Sequence, residues 1–241
     1  MRGRGGGVEG RGRPGRRSPR GGAPGRPVIA IDGPAGAGKT TLARRLAAEL
    51  GLPYLNTGAM YRAVALEALR QGVHPDDGAA LADLARRMRF TLSEDQPVPE
   101  LRIDGRIPGP EITSPEVEAV VSRVARHPEV REVLRAEQRR LGEGGAVVEG
   151  RDIGSVVFPD ASVKIFLLAE PRERAARRVR ERASDEELAR ALHRRDALDA
   201  RVNPFVPAPD AVAIDTTGLG EREVFERALE VVRERLGGGW A

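Results

Sequence analysis

Apolar positions along this chain switch repeatedly between two rhythms. The run "VIAID" (28–32) is continuously apolar until its last residue, as expected of a strand buried on both faces of a parallel sheet. Beyond it, Leu42, Leu46 and Leu50 recur at helical spacing and Gly51 supplies a stop signal. The alternation then continues. "LPYLN" (52–56) predicts a second short strand. Residues 57–72 predict a helix with Met60, Val64 and Leu66 apolar and Gly72 at its end, and 77–88 predict another. Residues 90–113 break the rhythm with Pro and Gly punctuation and short strand-like pieces, which reads as a small β-containing insert. Helices are expected at about 115–126 and 128–141, and strands at 146–152, 163–169 and 211–215. Helical stretches are expected over 171–200 and 221–236. Five strands joined by crossover helices predict an α/β fold: a three-layer, doubly wound, five-stranded parallel sheet.

Composition narrows the class. Hydrophobic residues make up 40% of 241 positions, enough for a core, but aromatics are only 3%, so Ala, Val and Leu must do most of the packing. The absence of Cys removes disulfide and thiolate chemistry. No apolar run approaches the ~20 residues that span a bilayer. The basic N-terminus lacks an apolar stretch behind it, so it does not read as a signal peptide. The expectation is a cytoplasmic protein with no membrane partner. The pI near 10.2 suggests nucleic acid until the charge is located. Residues 1–26 carry eight Arg and one Glu, which leaves the other 215 residues at net −3. Such a body is not an electrostatic nucleic-acid binder. The Gly/Arg/Pro tail of 1–26 has almost nothing to bury and is expected to be disordered. The domain boundaries expected are therefore 1–26 for the tail and 27–241 for one domain.

The chemistry concentrates after the first strand. Gly33, Pro34, Ala35, Gly36, Ala37, Gly38, Lys39 and Thr40 read G-x-x-x-x-G-K-[ST] without a mismatch, in the required context of strand, loop and helix. The glycines let backbone N–H groups approach phosphate oxygens, and the helix N-terminus adds its positive dipole end. Thr40 offers a hydroxyl to Mg²⁺, with Thr41 beside it. Of the 40 basic residues only two are lysine, Lys39 and Lys164. A compact ammonium on a flexible stem reaches phosphates through a narrow loop where a planar guanidinium does not. Lys164, within a strand, is expected to reach out to solvent instead.

Ligands of such sheets bind beyond the carboxyl ends of the strands. Standing there are Asp32, then Asn56, Thr57 and Gly58 with Tyr61 and Arg62 one turn along, and then Glu149, Gly150, Arg151 and Asp152. Phosphate-pairing groups thus converge from three strands on one loop. Arg195 and Asp199 lie four apart on one expected helix face.

At these residues the chain resembles the bacterial cytidylate (CMP/dCMP) kinases. "IAIDGPAGAGKTT", "NTGAMYRAVAL", "VVEGRDIGSVVFPDASVKIFLLA" and "RRDALDARVNPFVPAPDAVAIDTT" carry the likeness, which covers about 27–236. The first motif is common to P-loop proteins, whereas "GRDIGSVVFPDA" and "TGAMYR" are far more specific. The resemblance implies a P-loop kinase domain with a monophosphate-binding insert at about 90–130 and a short lid at about 171–195. It implies transfer of the γ-phosphoryl group of Mg·ATP to CMP or dCMP. A monomer is expected, with no nucleic-acid partner for the kinase domain, while the Gly/Arg tail could touch RNA. Gly33 to Thr41 would hold ATP, and Lys39, Arg62, Arg151 and Asp152 would be catalytic. Arg62 and Arg151 would clamp the acceptor phosphate near Thr57. Ser122, Arg131 and Asp152 would read cytosine, and Arg195 and Asp199 the sugar. Arg201 falls near the family's late arginine, in a segment two residues shorter than usual. Asn56 stands where the family often has Asp. Arg174, Arg177 and Arg178 lie on the expected lid helix. Adenylate and uridylate kinases would share the loop and differ in base preference. Shikimate kinases lack a matching β-element, and no N-K-x-D guanine motif marks a GTPase switch.

Overall fold

The structure is a computed structural model and describes residues 25–93, 96–182 and 206–237. Strand β1 (Val28–Asp32) lies at the centre of a five-stranded parallel sheet. Around it stand β2 (Tyr54–Asn56), β5 (Ala146–Gly150), β6 (Val163–Leu168) and β7 (Val212–Asp215), in the order β2-β5-β1-β6-β7. From β1 the chain passes to the edge strand β2, returns inward to β5 beside β1, then crosses to the other side through β6 and β7. The switch of direction falls at β1, which runs straight into the glycine-rich loop.

Side chains alternate across each strand, so the sheet feeds two cores. Ile29 and Ile31 point to one face with Val147, Ile165 and Leu167. There they meet Leu42 and Leu46 of α1 (Lys39–Leu50) and Val224 and Leu229 of the last helix, α7 (Glu221–Leu236). Ala30 and Val148 point to the other face. There the core is built with α2 (Thr57–Gln71), α3 (Gly78–Arg87), α4 (Pro115–Ala125) and α5 (Pro128–Gly142). Leu46 has no exposed surface, and truncating such a residue to alanine costs ~2–5 kcal/mol.

Local signals set the ends of these helices. Gly51 and Gly72 close α1 and α2 in left-handed geometry. Asn56 caps α2 by accepting from the Ala59 N–H at 3.0 Å, a role the amide oxygen fills as an aspartate would. Asp77 and Ser114 do the same for α3 and α4.

Two features depart from the sequence reading, at the end of β5 and at Lys164, and the expected β-containing insert takes a definite form. The strand expected over 146–152 stops at Gly150, and the chain then makes a π-helical turn, Ile153–Val157, that no periodicity announced. The insert contains a separate antiparallel hairpin, β3 (Phe90–Leu92) and β4 (Leu101–Ile103), which meets the main sheet in a parallel bridge between Tyr54 and Glu100. Lys164 does not reach solvent. Its side chain is 8% exposed, and its ammonium donates to Asp210 Oδ1 at 2.8 Å and to the Pro159 carbonyl. The mixed pattern of β6 concealed this, because a lone charge in an apolar run reads equally as snorkelling or as paired.

Helix α6 (Pro171–Arg182) starts the expected lid. The rest of the expected lid, up to Arg195, lies outside the described residues, as do Asp199, Arg201 and residues 1–24 of the tail. No helix among the described residues is long and apolar enough to cross a membrane.

Candidate active site

The glycine-rich loop closes over the carboxyl end of β1. Gly33 has φ 147°, and a Cβ there would stand 2.5 Å from the Leu167 carbonyl oxygen. Gly36 has φ 73° and faces the Arg174 carbonyl oxygen at 2.7 Å. Both positions therefore require glycine for conformation and for space. Lys39 curls back over the loop, its Nζ donating to the Pro34 carbonyl at 2.8 Å. Arg174 of α6 donates to the Ala35 carbonyl at 3.1 Å, so the base of the expected lid rests on the loop. Arg177 instead binds Glu173 and Thr216, and the Arg178 side chain lies outside what the structure describes.

One cleft runs from this loop to the helices of the insert. Gly36, Gly38, Lys39, Thr40 and Thr41 line one end. Thr57, Tyr61, Arg62, Arg151 and Asp152 line the other, with Ser122 and Arg131 arriving from α4 and α5. The structure thus brings together every expected site residue within the described set except Gly33, Pro34 and Ala37. Those three belong to the loop itself without lining the cleft.

The end of the cleft away from the loop is a charge lattice. Arg62 pairs with Glu118 of α4 at 3.2 Å, both side chains largely buried. Arg151 reaches back to the Gly33 carbonyl at 3.4 Å. Oδ2 of Asp152 accepts from Arg131 at 3.1 Å and also from Arg135, a residue one helical turn further along α5 that sequence reasoning did not single out. The other oxygen of Asp152 carries no protein hydrogen bond among the described residues. Tyr61 is partly buried beside this cluster. Desolvation first, then the Asp152 charge, pushes its hydroxyl up to about 12, so it remains a neutral donor.

Two buried carboxylates organise the floor. Asp32, the last residue of β1, accepts from the Ile153 and Gly154 N–H groups, each at 2.8 Å. It thereby fixes the turn that follows Arg151 and Asp152. Burial pushes its carboxyl up to about 6, against the lowering effect of those two hydrogen bonds. Glu149 of β5 is 4% exposed. It accepts from the Thr40 hydroxyl at 2.8 Å and from the Tyr54 hydroxyl, while its backbone carbonyl accepts from Thr57 Oγ1 at 2.7 Å. The sequence reading noted Glu149 only as a strand-end charge. Its distance of 109 residues from Thr40 hid the pairing. Thr40 and Glu149 together form a hard-oxygen donor set, the chemistry that suits Mg²⁺. Of the two threonines, it is Thr40 whose hydroxyl faces this carboxylate.

A glycine-rich phosphate loop at the strand where a parallel sheet reverses its winding, with a carboxylate on the neighbouring strand, defines a P-loop protein. A model of the family "Cytidylate kinase" matches residues 29–234. A cytidylate kinase of Desulfitobacterium hafniense is 45% identical over 221 residues, covering 88% of this chain and 95% of that protein. One from Geobacillus kaustophilus is 47% identical, covering 87% and 97%. A bifunctional pantoate ligase/cytidylate kinase of a Synechococcus strain is 46% identical over 88% of this chain, and the chain spans only 41% of that longer protein. The chain belongs to the cytidylate kinase family.

Proposed function

We propose that the protein transfers the γ-phosphoryl group of ATP to CMP or dCMP, giving CDP or dCDP and ADP. The observation that carries this reading is the single cleft that joins the phosphate loop to Arg62, Arg151, Ser122, Arg131 and Asp152. Phosphoryl transfer needs little covalent help: it needs two substrates held in line and charge neutralised on the moving oxygens. The loop N–H groups and Lys39 hold the donor phosphates. Arg62 and Arg151 hold the acceptor phosphate, exchanging their present partners for it. Thr40 and Glu149 are the residues that would hold Mg²⁺, which neutralises charge on the donor phosphates when bound. Arg195, Asp199 and Arg201 are assigned to the sugar and acceptor side on the family resemblance alone.

Base choice follows from hydrogen-bond polarity. Cytosine presents an amino donor where uracil presents an acceptor. A carboxylate only accepts, and the arginines on its Oδ2 leave Oδ1 of Asp152 for that amino group. Ser122 can donate or accept and does not set the preference alone. A panel of nucleoside monophosphates with Mg·ATP tests the assignment. CMP and dCMP should exceed UMP by a factor on the order of 10⁴ in kcat/KM, and AMP should barely react. A preference for UMP or AMP would overturn it.

A further inference from the structure

Behind the cleft, Tyr54 is 2% exposed, touches no expected substrate, and directs its hydroxyl at Glu149. We propose that Tyr54 is a positioning residue for the divalent cation: it fixes the Glu149 carboxylate so that Thr40 and Glu149 present their oxygens to the metal of the bound nucleotide. The proposal rests on the kinase reading above and deepens it.

The geometry supports this from both sides. Thr40 Oγ1 stands 2.8 Å and 3.1 Å from the two Glu149 oxygens, so one hydroxyl bridges the carboxylate. While its proton points at Glu149, the lone pairs of Thr40 face the cleft, where a cation can take them. That arrangement holds only if the carboxylate does not rotate, and a single bifurcated donor does not stop rotation. Tyr54 adds a second donor on Oε1.

The tyrosine is itself held. Its backbone N–H donates to the Pro99 carbonyl at 2.8 Å, in the bridge that docks the hairpin on β2. The Arg44 guanidinium sits 5.3 Å from its ring centroid and pairs with Glu100 at 3.2 Å. Arg44 thus packs on the ring without touching the hydroxyl that meets Glu149. Groups that orient metal ligands typically alter metal affinity by ~10–100-fold when removed.

The test is Mn²⁺ binding to the ADP complex of the full chain, read by electron paramagnetic resonance. It is run on wild type, Tyr54→Phe and Arg44→Ala, with melting temperatures alongside. Tyr54→Phe removes one oxygen and leaves the ring. It should weaken Mn²⁺ about tenfold and leave metal-free ADP binding and CMP affinity unchanged. Arg44→Ala disturbs the packing around the ring but not the hydroxyl, so it should shift Mn²⁺ affinity by less than about threefold. Wild-type Mn²⁺ affinity in Tyr54→Phe would overturn the proposal, as would an equal loss in Arg44→Ala. Failure of wild type itself to bind Mn²⁺ with ADP would instead sink the kinase reading on which the proposal stands.

Discussion

The two ends of the cleft share strand ends but differ in material. The phosphate-loop end is backbone: consecutive N–H groups, two glycines forced by close carbonyls, and one lysine. The acceptor end is side chain: arginines and carboxylates drawn from α2, α4, α5 and the turn after β5, paired with one another across the cleft. A backbone site recognises any polyphosphate of the right shape. A site of forked arginines and an oriented carboxylate can distinguish one base edge from another. Generality and selectivity are thus divided between the two ends.

The sharpest break of this division is at Lys39. Lys39→Arg keeps the charge but not the shape, and should lower kcat by ~10²–10³ with every acceptor. Near-native turnover would remove the steric account of the loop. Next is Asp152→Asn, which should lower kcat/KM for CMP by about 10²-fold and narrow the CMP/UMP ratio, because an amide also donates. The KM for ATP should stay put. If it rose in step, the ends would not be separable.

Asp32 joins them, and its titration measures the joint. Its carboxyl lies near pH 6 in the folded protein against 3.8 ordinarily. The folded state therefore binds this proton more tightly than the unfolded chain does. The Asp32 contribution to stability is greatest below about pH 4 and is lost as pH rises through about 6, by about 3 kcal/mol. Activity should move the other way. Protonation weakens the two hydrogen bonds that seat the turn, so kcat/KM for CMP should fall below about pH 6. Asp32→Asn should flatten both profiles when stability and rate are measured from pH 4.5 to 8. It should also raise the KM for CMP about tenfold. The smallest expected effect is Asn56→Ala, which removes the cap of α2 and should cost about 1 kcal/mol by denaturant unfolding, with the CMP/UMP ratio unchanged.

The contrast between the ends also explains what the sequence made legible. The donor end is a contiguous motif, so its residues and their flanking strand and helix could be read directly. The strands and most helix limits followed from apolar runs and glycine stops, with α7 matching residue for residue. The acceptor end is assembled over long separations, Arg62 with Glu118 and Asp152 with Arg131 and Arg135. Local pattern carries no trace of such pairings, and the resemblance to relatives supplied most of those residues. Arg135, Tyr54 and the partnership of Glu149 with Thr40 went unread for the same reason. The π-helical turn went unread because what holds it is Asp32, 121 positions upstream of Ile153.

That clasp has a mechanical consequence. The phosphate loop leaves β1 directly after Asp32, and the segment bearing Arg151 and Asp152 is tied to the same carboxylate by two hydrogen bonds. The loop and the segment bearing Arg151 and Asp152 are therefore tied to one carboxylate, and on the proposed assignment this would set the spacing between the two nucleotide sites. A closure over such a pair of anchors would serve mainly to shed water rather than to bring the reactants together.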